Sequence, residues 1–168
     1  MSLFRGRTVA ILAFTLFVAT AGFGRQAAWA DSPSAAIAEA LLSAWNAKDA
    51  DKAASLLADD VVYVDVTVGE PQKGRAAARD NVIKVFMTAA PDLKWVMKGK
   101  PIVNGDGVAF EWNFSGTNTG AWGPDDPATN KAFSFDGVTF IRVKNGKITY
   151  QGDYYDGYGF QKQLGWIE

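Results

Sequence analysis

The sequence predicts an α+β domain, with helices packed on one face of a strongly bent antiparallel or mixed sheet. Three observations carry this. Ile37, Leu41 and Trp45, with Ala38 and Leu42, form an apolar stripe at helical spacing. From Asp92 onward the period changes to two. In "VAFEWNFSG" (108–116), Val108, Phe110, Trp112 and Phe114 share one face and Glu111 and Asn113 the other. "KNGK" (144–147) is an Asn-Gly hairpin turn between two such runs.

Residues 1–30 are expected to be a secretory signal peptide. Arg5 and Arg7 precede an apolar run, "VAILAFTLFVA" (9–19), too short to span a bilayer. "AWA" (28–30) offers small residues for cleavage after Ala30. Residues 31–168 are then one exported domain, periplasmic or secreted, with no membrane attachment once the leader is gone. Ser32 and Pro33 start its first helix, as capping hydroxyl and first-turn proline. "NAKD" (46–49) ends that helix, and Asp49 caps a second through Leu57. "VVYVDV" (61–66) is a β-branched strand and "GEPQKG" (69–74) a loop. Residues 75–89 form a third helix with Val82, Ile83 and Phe86 inward.

"KWVMKGK" (94–100) reads as a strand with one wet face, since its lysines alternate with Trp95 and Met97. "GAWGPDDPATN" (120–130) is a long loop. "AFSFDGVTFIRV" (132–143) is a strand in which Gly137 is a candidate bulge. "ITYQGDYY" (148–155) is the last strand, and residues 157–164 a terminal helix capped by Asp156. Apolar residues occupy both faces of residues 138–143, Val138 and Phe140 on one, Ile141 and Val143 on the other. One face lines the interior, so the other is expected to be covered by a second copy in a homodimer.

The chain of 168 residues contains neither histidine nor cysteine. That excludes histidine-based nucleophile triads and the common zinc sites. Acid–base work falls to carboxylates, tyrosine or lysine. Without the three leader arginines the balance is 14 basic against 18 acidic residues, and no basic cluster points to nucleic acid. No phosphate loop, dinucleotide fingerprint or metal-ligand cluster is present, so no cofactor and no metal are expected.

The order of elements resembles the nuclear-transport-factor-2-like superfamily, and within it the SnoaL-like polyketide cyclases. The residues that carry this are "AWNAKD" (44–49), "LLADDVVYVD" (56–65), "GEPQKGR" (69–75), "EWNFSGTNTG" (111–120), "FSFDGVTFIRVKNGKI" (133–148) and "DYYD…QLG" (153–165). The resemblance implies a cone-shaped α+β barrel. It also implies two site residues. The cyclases place a catalytic aspartate seven residues after the glycine of the "GKI" turn, which is Asp153. The related ketosteroid isomerases place their proton-shuttling aspartate at the end of "ADD…D", which is Asp65. The cyclase histidine and the isomerase hydrogen-bonding acid both fall on Thr139, and the isomerase helix-one tyrosine on Leu41.

An aspartate in water, with a pKa of about 3.9, is too weak a base for a carbon acid. Burial in an apolar pocket corrects this. Tyr63, Phe86, Trp112, Trp122 and Tyr155 are the candidate walls for a small hydrophobic ligand, with Thr139 as a hydrogen-bonding residue. Trp95, Phe114 and Phe135 add to the aromatic content. Alternation sets Asp153 with Thr149 and Gln151, opposite Tyr150 and Tyr154. An ion pair with Arg142 or Arg79 would make Asp153 structural instead, and Asp65 could simply satisfy loop backbone. The expected functions are therefore cofactor-free cyclase, isomerase or dehydratase chemistry through Asp153, or non-catalytic ligand binding or dimeric interaction on the same fold.

Overall fold

The computed structural model describes residues 32–168, so the leader expected over 1–30 lies outside the described residues. Helix α1 (Pro33–Asn46) is followed by α2 (Ala50–Ser55) and strand β1 (Leu57–Asp65). A two-residue strand, β2 (Gln72–Lys73), precedes α3 (Arg75–Ala78), a π turn (Arg79–Ile83) and α4 (Lys84–Ala89), which run on as one rod. Strands β3 (Lys94–Asn104), β4 (Gly107–Thr117), β5 (Ala132–Lys144) and β6 (Lys147–Tyr155) follow, then α5 (Gly157–Leu164). The six strands form one mixed sheet in the order β2-β1-β6-β5-β4-β3. Among the described residues, only β1 and β6 pair in parallel. The sheet does not close, because β2 and β3 stay at its edges. The expected cone is thus an open, curved sheet with helices on its inner side.

Local chemistry explains most boundaries. Pro33 occupies the first turn of α1, but the Ser32 hydroxyl bonds Ser34 Oγ rather than a helix N–H. Asp49 caps α2 by accepting from Lys52 N at 2.9 Å. That helix ends earlier than expected. Leu57 is fully buried and already pairs with Ile148 of β6, so β1 begins four residues before the β-branched run. Residues expected to be loop at 69–74 include β2, which pairs with Val62 and Tyr63. Asn145 and Gly146 both adopt positive φ (51° and 71°) at the β5–β6 turn, which suits an Asn-Gly hairpin. Asp156 caps α5 by accepting from Gly159 N at 2.9 Å.

Two expectations about the sheet change. Gly137 is not a bulge. It pairs in register with Trp112 on one side and Tyr155 on the other. Its role is close approach: a Cβ there would lie 2.3 Å from Trp112 Cη2 and 2.8 Å from the Tyr154 carbonyl oxygen. The absent side chain lets the Trp112 indole lie across β5. The irregularity sits on β6 instead, where Thr149 is extra between the pairs Arg142–Tyr150 and Val143–Ile148. Thr149 therefore leaves the inner face, and Ile148 takes the buried position.

The core between helices and sheet is aromatic. Trp45 meets Trp95 edge-on with ring centroids 5.2 Å apart, and Phe135 stacks on Tyr155 at 4.7 Å. Such pairs contribute about 0.5–1.5 kcal/mol each beyond buried area. Asn46 clasps α1 to β3: its amide donates to Trp95 O at 2.8 Å and accepts from Trp95 N at 2.9 Å. Because the Trp112 ring fills the space above Gly137, Gly137→Ala is expected to destabilise the fold by about 1–3 kcal/mol through displacement of that ring. Urea denaturation checks this, and wild-type stability in the variant would refute the packing account.

Candidate acid–base site

Three adjacent strands bring the site together. Asp65 on β1 faces Asp153 on β6, and Asp153 faces Thr139 on β5. One row across the sheet thus carries Asp65, Asp153 and Thr139 on its inner face. One pleat away, Tyr63 faces Gln151. Alternation places all of these on the concave side, and both acids are 5% exposed.

Asp153 is held by three neutral donors. Tyr63 O–H donates to Oδ2 at 2.6 Å, Thr139 Oγ1–H to Oδ1 at 2.6 Å, and Gln151 Nε2–H to Oδ2 at 3.0 Å. Thr139 in turn accepts from Trp112 Nε1–H at 2.7 Å, which fixes its hydroxyl proton toward the carboxylate. The ion pairs considered from sequence are not made. Arg79 pairs with Asp51 and Asp80, and Arg142 stands over the Tyr150 ring on the outer face. Burial pushes the Asp153 carboxyl up from 3.8 to about 7, the nearby Asp65 charge adds to this, and the three hydrogen bonds oppose it. Burial first, then the Asp153 charge, drives the Tyr63 phenol well above its ordinary range, so it stays a donor.

Asp65 has a mixed role. Its Oδ1 accepts from Thr67 N at 2.9 Å, Thr67 Oγ1 at 2.8 Å, Val68 N at 3.3 Å and Tyr155 O–H at 2.9 Å. It therefore satisfies loop backbone, and it also lines the cavity beside Asp153. Burial raises its pKa against these hydrogen bonds.

The two acids line a cavity of about 20 Å³ with Trp45, Tyr63, Phe86, Trp95, Trp112, Phe114, Phe135 and Tyr155. By accessible volume that holds one water comfortably. Among the described residues, no Lys or Arg lines it. The indole Nε1–H groups of Trp45 and Trp95 are buried without a hydrogen-bond partner. An unsatisfied buried donor costs roughly 1–3 kcal/mol.

Of the residues singled out from sequence, Asp153, Asp65, Tyr63, Phe86, Trp112 and Tyr155 converge on this cavity. Thr139 stands behind Asp153, where it positions the carboxylate. Trp122 is not brought to the acids. It packs beyond Phe86, at 4.9 Å between centroids, and lines a neighbouring crevice with Phe160 and Trp166. Trp45 and Gln151 were missed as site residues. Trp45 fits the helical core stripe, and only alternation, which puts Gln151 beside Asp153, hinted at the second.

The folded protein takes up a proton at Asp153 that the unfolded chain would release. Stability from this group is full below about pH 4, falls as pH rises through about 7, and is flat above. The rise in pKa corresponds to roughly 4 kcal/mol between those limits. Asp153→Asn removes this dependence. Its melting temperature relative to wild type is expected to be more favourable at pH 8.5 than at pH 5. A large loss of stability at both pH values would mean that the carboxylate is structural.

Residues 38–151 match the SnoaL-like domain family. No curated protein matches the chain. TsrD from Streptomyces laurentii superposes with a TM-score of 0.68 at 21% identity, over 80% of this chain and 96% of that one. A candidate SnoaL-like polyketide cyclase from Jannaschia sp. CCS1 gives 0.72 at 14%, over 86% and 100%. A ketosteroid isomerase-like protein from Catenulispora acidiphila, solved with trimethylamine, gives 0.63 at 26%, over 77% and 92%. These likenesses agree with the helices-on-curved-sheet architecture. With its domain matched over residues 38–151, the chain belongs to the SnoaL-like family.

Proposed function

We propose that the site is a cofactor-free acid–base centre acting on a small carbonyl compound, with Asp153 as the proton carrier. The observation that carries this is a buried carboxylate without a cation, held by neutral donors at a pKa of about 7 against a cavity. The SnoaL-like fold supports a ligand-binding or cyclase/isomerase-type role. A base poised near neutral pH suits proton abstraction beside a carbonyl. The ionised Asp153 takes the proton from carbon, and the C–H electron pair moves into an enolate. Asp153 then returns the proton to another carbon, or the enolate carbon attacks a second carbonyl. Asp65 tunes this by its charge. At about 20 Å³ the cavity has room for about one water, so entry of a carbonyl compound requires the aromatic walls to turn.

A second reading is a binding module for a small alkylammonium ion. Its support is the aromatic wall around two carboxylates without a cation, and the trimethylamine bound to the Catenulispora protein.

Isomerisation of 3-cyclohexenone to its conjugated isomer, followed by absorbance and by deuterium uptake, tests the enzyme reading. The rate is expected to rise with pH through a midpoint near 7, because the ionised form is the base. Asp153→Asn is expected to lower it about 100-fold or more. Asp65→Asn is expected to move the midpoint down by removing a like charge. No rate above buffer at any pH would sink the enzyme reading and leave ligand binding.

We also propose that a second copy covers the outer face of the sheet. Ile102, Ala109, Phe140 and Gly152 form one row there, and Ile102, Phe140, Val96 and Tyr154 are exposed. Light scattering is expected to give a dimer at micromolar concentration and a monomer for Phe140→Asp. A wild-type monomer would rule this out.

A further inference from the structure

Trp45 and Trp95 each bury an indole N–H without a partner, and both line the cavity that holds Asp65 and Asp153. The third tryptophan of that wall is satisfied, since Trp112 donates to Thr139, while Trp122, in the neighbouring crevice, also buries an unpartnered indole N–H and Gln151 an unpartnered Oε1. Trp45 and Trp95 are each 3% exposed. The backbones that carry them are tied together. Trp45 ends α1, Trp95 opens β3, and the Asn46 amide makes two hydrogen bonds to the Trp95 backbone between them. Buried donors with no acceptor in the fold call for an acceptor from outside it, a cavity water in the free protein or a ligand atom that displaces it. Indole N–H donates only, so a cation cannot satisfy it.

We propose that the indole N–H groups of Trp45 and Trp95 form the subsite that receives the ligand's carbonyl oxygen, opposite Asp153. This rests on the acid–base reading and names the part that it lacks. Thr139 cannot supply the donor, because its hydroxyl proton is committed to Asp153. A carbonyl oxygen has two lone pairs and can accept from both indoles at once. When Asp153 takes the proton from the adjacent carbon, the electron pair moves onto that oxygen. The two N–H dipoles then face a growing negative charge in a site from which the ligand has displaced water. An indole does not give up its proton, so the species formed is an enolate, and the proton returns from Asp153. The ligand class is a neutral carbonyl compound whose oxygen and acidic carbon are adjacent. The competing structural role for these donors is a contact of one N–H with the face of the other ring, which meets it at 76°.

The test is titration of ¹⁵N-labelled protein with cyclohexanone, followed through the indole N–H signals. Trp45→Phe and Trp95→Phe assign the two signals. If either variant fails to fold, nuclear Overhauser contacts to Phe86 for Trp45 and to Phe110 for Trp95 assign them in the wild type. Both signals are expected to move downfield and saturate together, while the Trp166 signal stays in place. Tetramethylammonium is expected to leave both without a downfield shift. The Phe variants are expected to slow 3-cyclohexenone isomerisation tenfold or more. Cyclohexanone that moves neither signal, or tetramethylammonium that saturates the site in its place, overturns the subsite. Isomerisation that survives in both Phe variants also overturns it and leaves the acid–base reading intact. Downfield shifts without any isomerisation uphold the subsite and overturn only the enzyme reading.

Discussion

A carboxylate buried without a counter-charge is the constraint around which this domain is arranged. Asp153 must be solvated mainly by the protein, since among the described residues no Lys or Arg lines its cavity, which has room for about one water. Three donors do this, from three positions in the sheet: Tyr63 on β1, Thr139 on β5 and Gln151 on β6 itself. Each arrives only if the strands keep their register. Thr139 depends on Trp112, and Trp112 depends on the missing side chain at Gly137. A slip of one residue in β5 would turn Thr139 to the outer face and leave the acid short of a donor. The aromatic wall then serves two ends: it fills the core, and it keeps the dielectric low enough to hold Asp153 near neutrality.

Thr139 shows how a family frame and a chain's own chemistry diverge. At the position where the resemblance expects a histidine or an acid, threonine cannot protonate a substrate. It holds the Asp153 carboxylate instead. The solved structures that the chain resembles, at 14–26% identity, share its fold, and a shared fold does not fix the chemistry of this row.

Element types were legible in the sequence because periodicity is a local signal. The strands from residue 94 on, the Asn-Gly turn and the Asp156 cap all stand where alternation and turn chemistry place them. Asp65 and Asp153 could be marked by their spacing, and Tyr63, Phe86, Trp112 and Tyr155 by their faces. What stayed hidden was pairing over long range. The early start of β1 depends on Leu57 meeting Ile148. The extra residue at Thr149 depends on how β5 and β6 fit, which no local pattern encodes. Trp45 looked like core because it is core on one side. The state of its N–H depends on ring orientation, a property of the packed interior alone. Trp122 lies away from the acids because it packs against Phe86, Phe160 and Trp166, a set of contacts that aromatic content alone does not reveal.

The parallel pairing of β1 with β6 has a consequence for how the chain reaches its native state. Tyr63 and Asp153 are 90 positions apart, and they meet across the one parallel seam of the sheet. Closing so long a segment is entropically slow compared with forming the β3–β4 and β5–β6 hairpins. The two acids therefore come together late, when most of the apolar surface is already covered. Whatever repulsion they exert is felt near the end of assembly, with little left to offset it. A medium that keeps Asp153 protonated eases that last closure. The burial that raises the Asp153 carboxyl to about 7 thereby makes the final docking step of folding sensitive to the acidity of the medium.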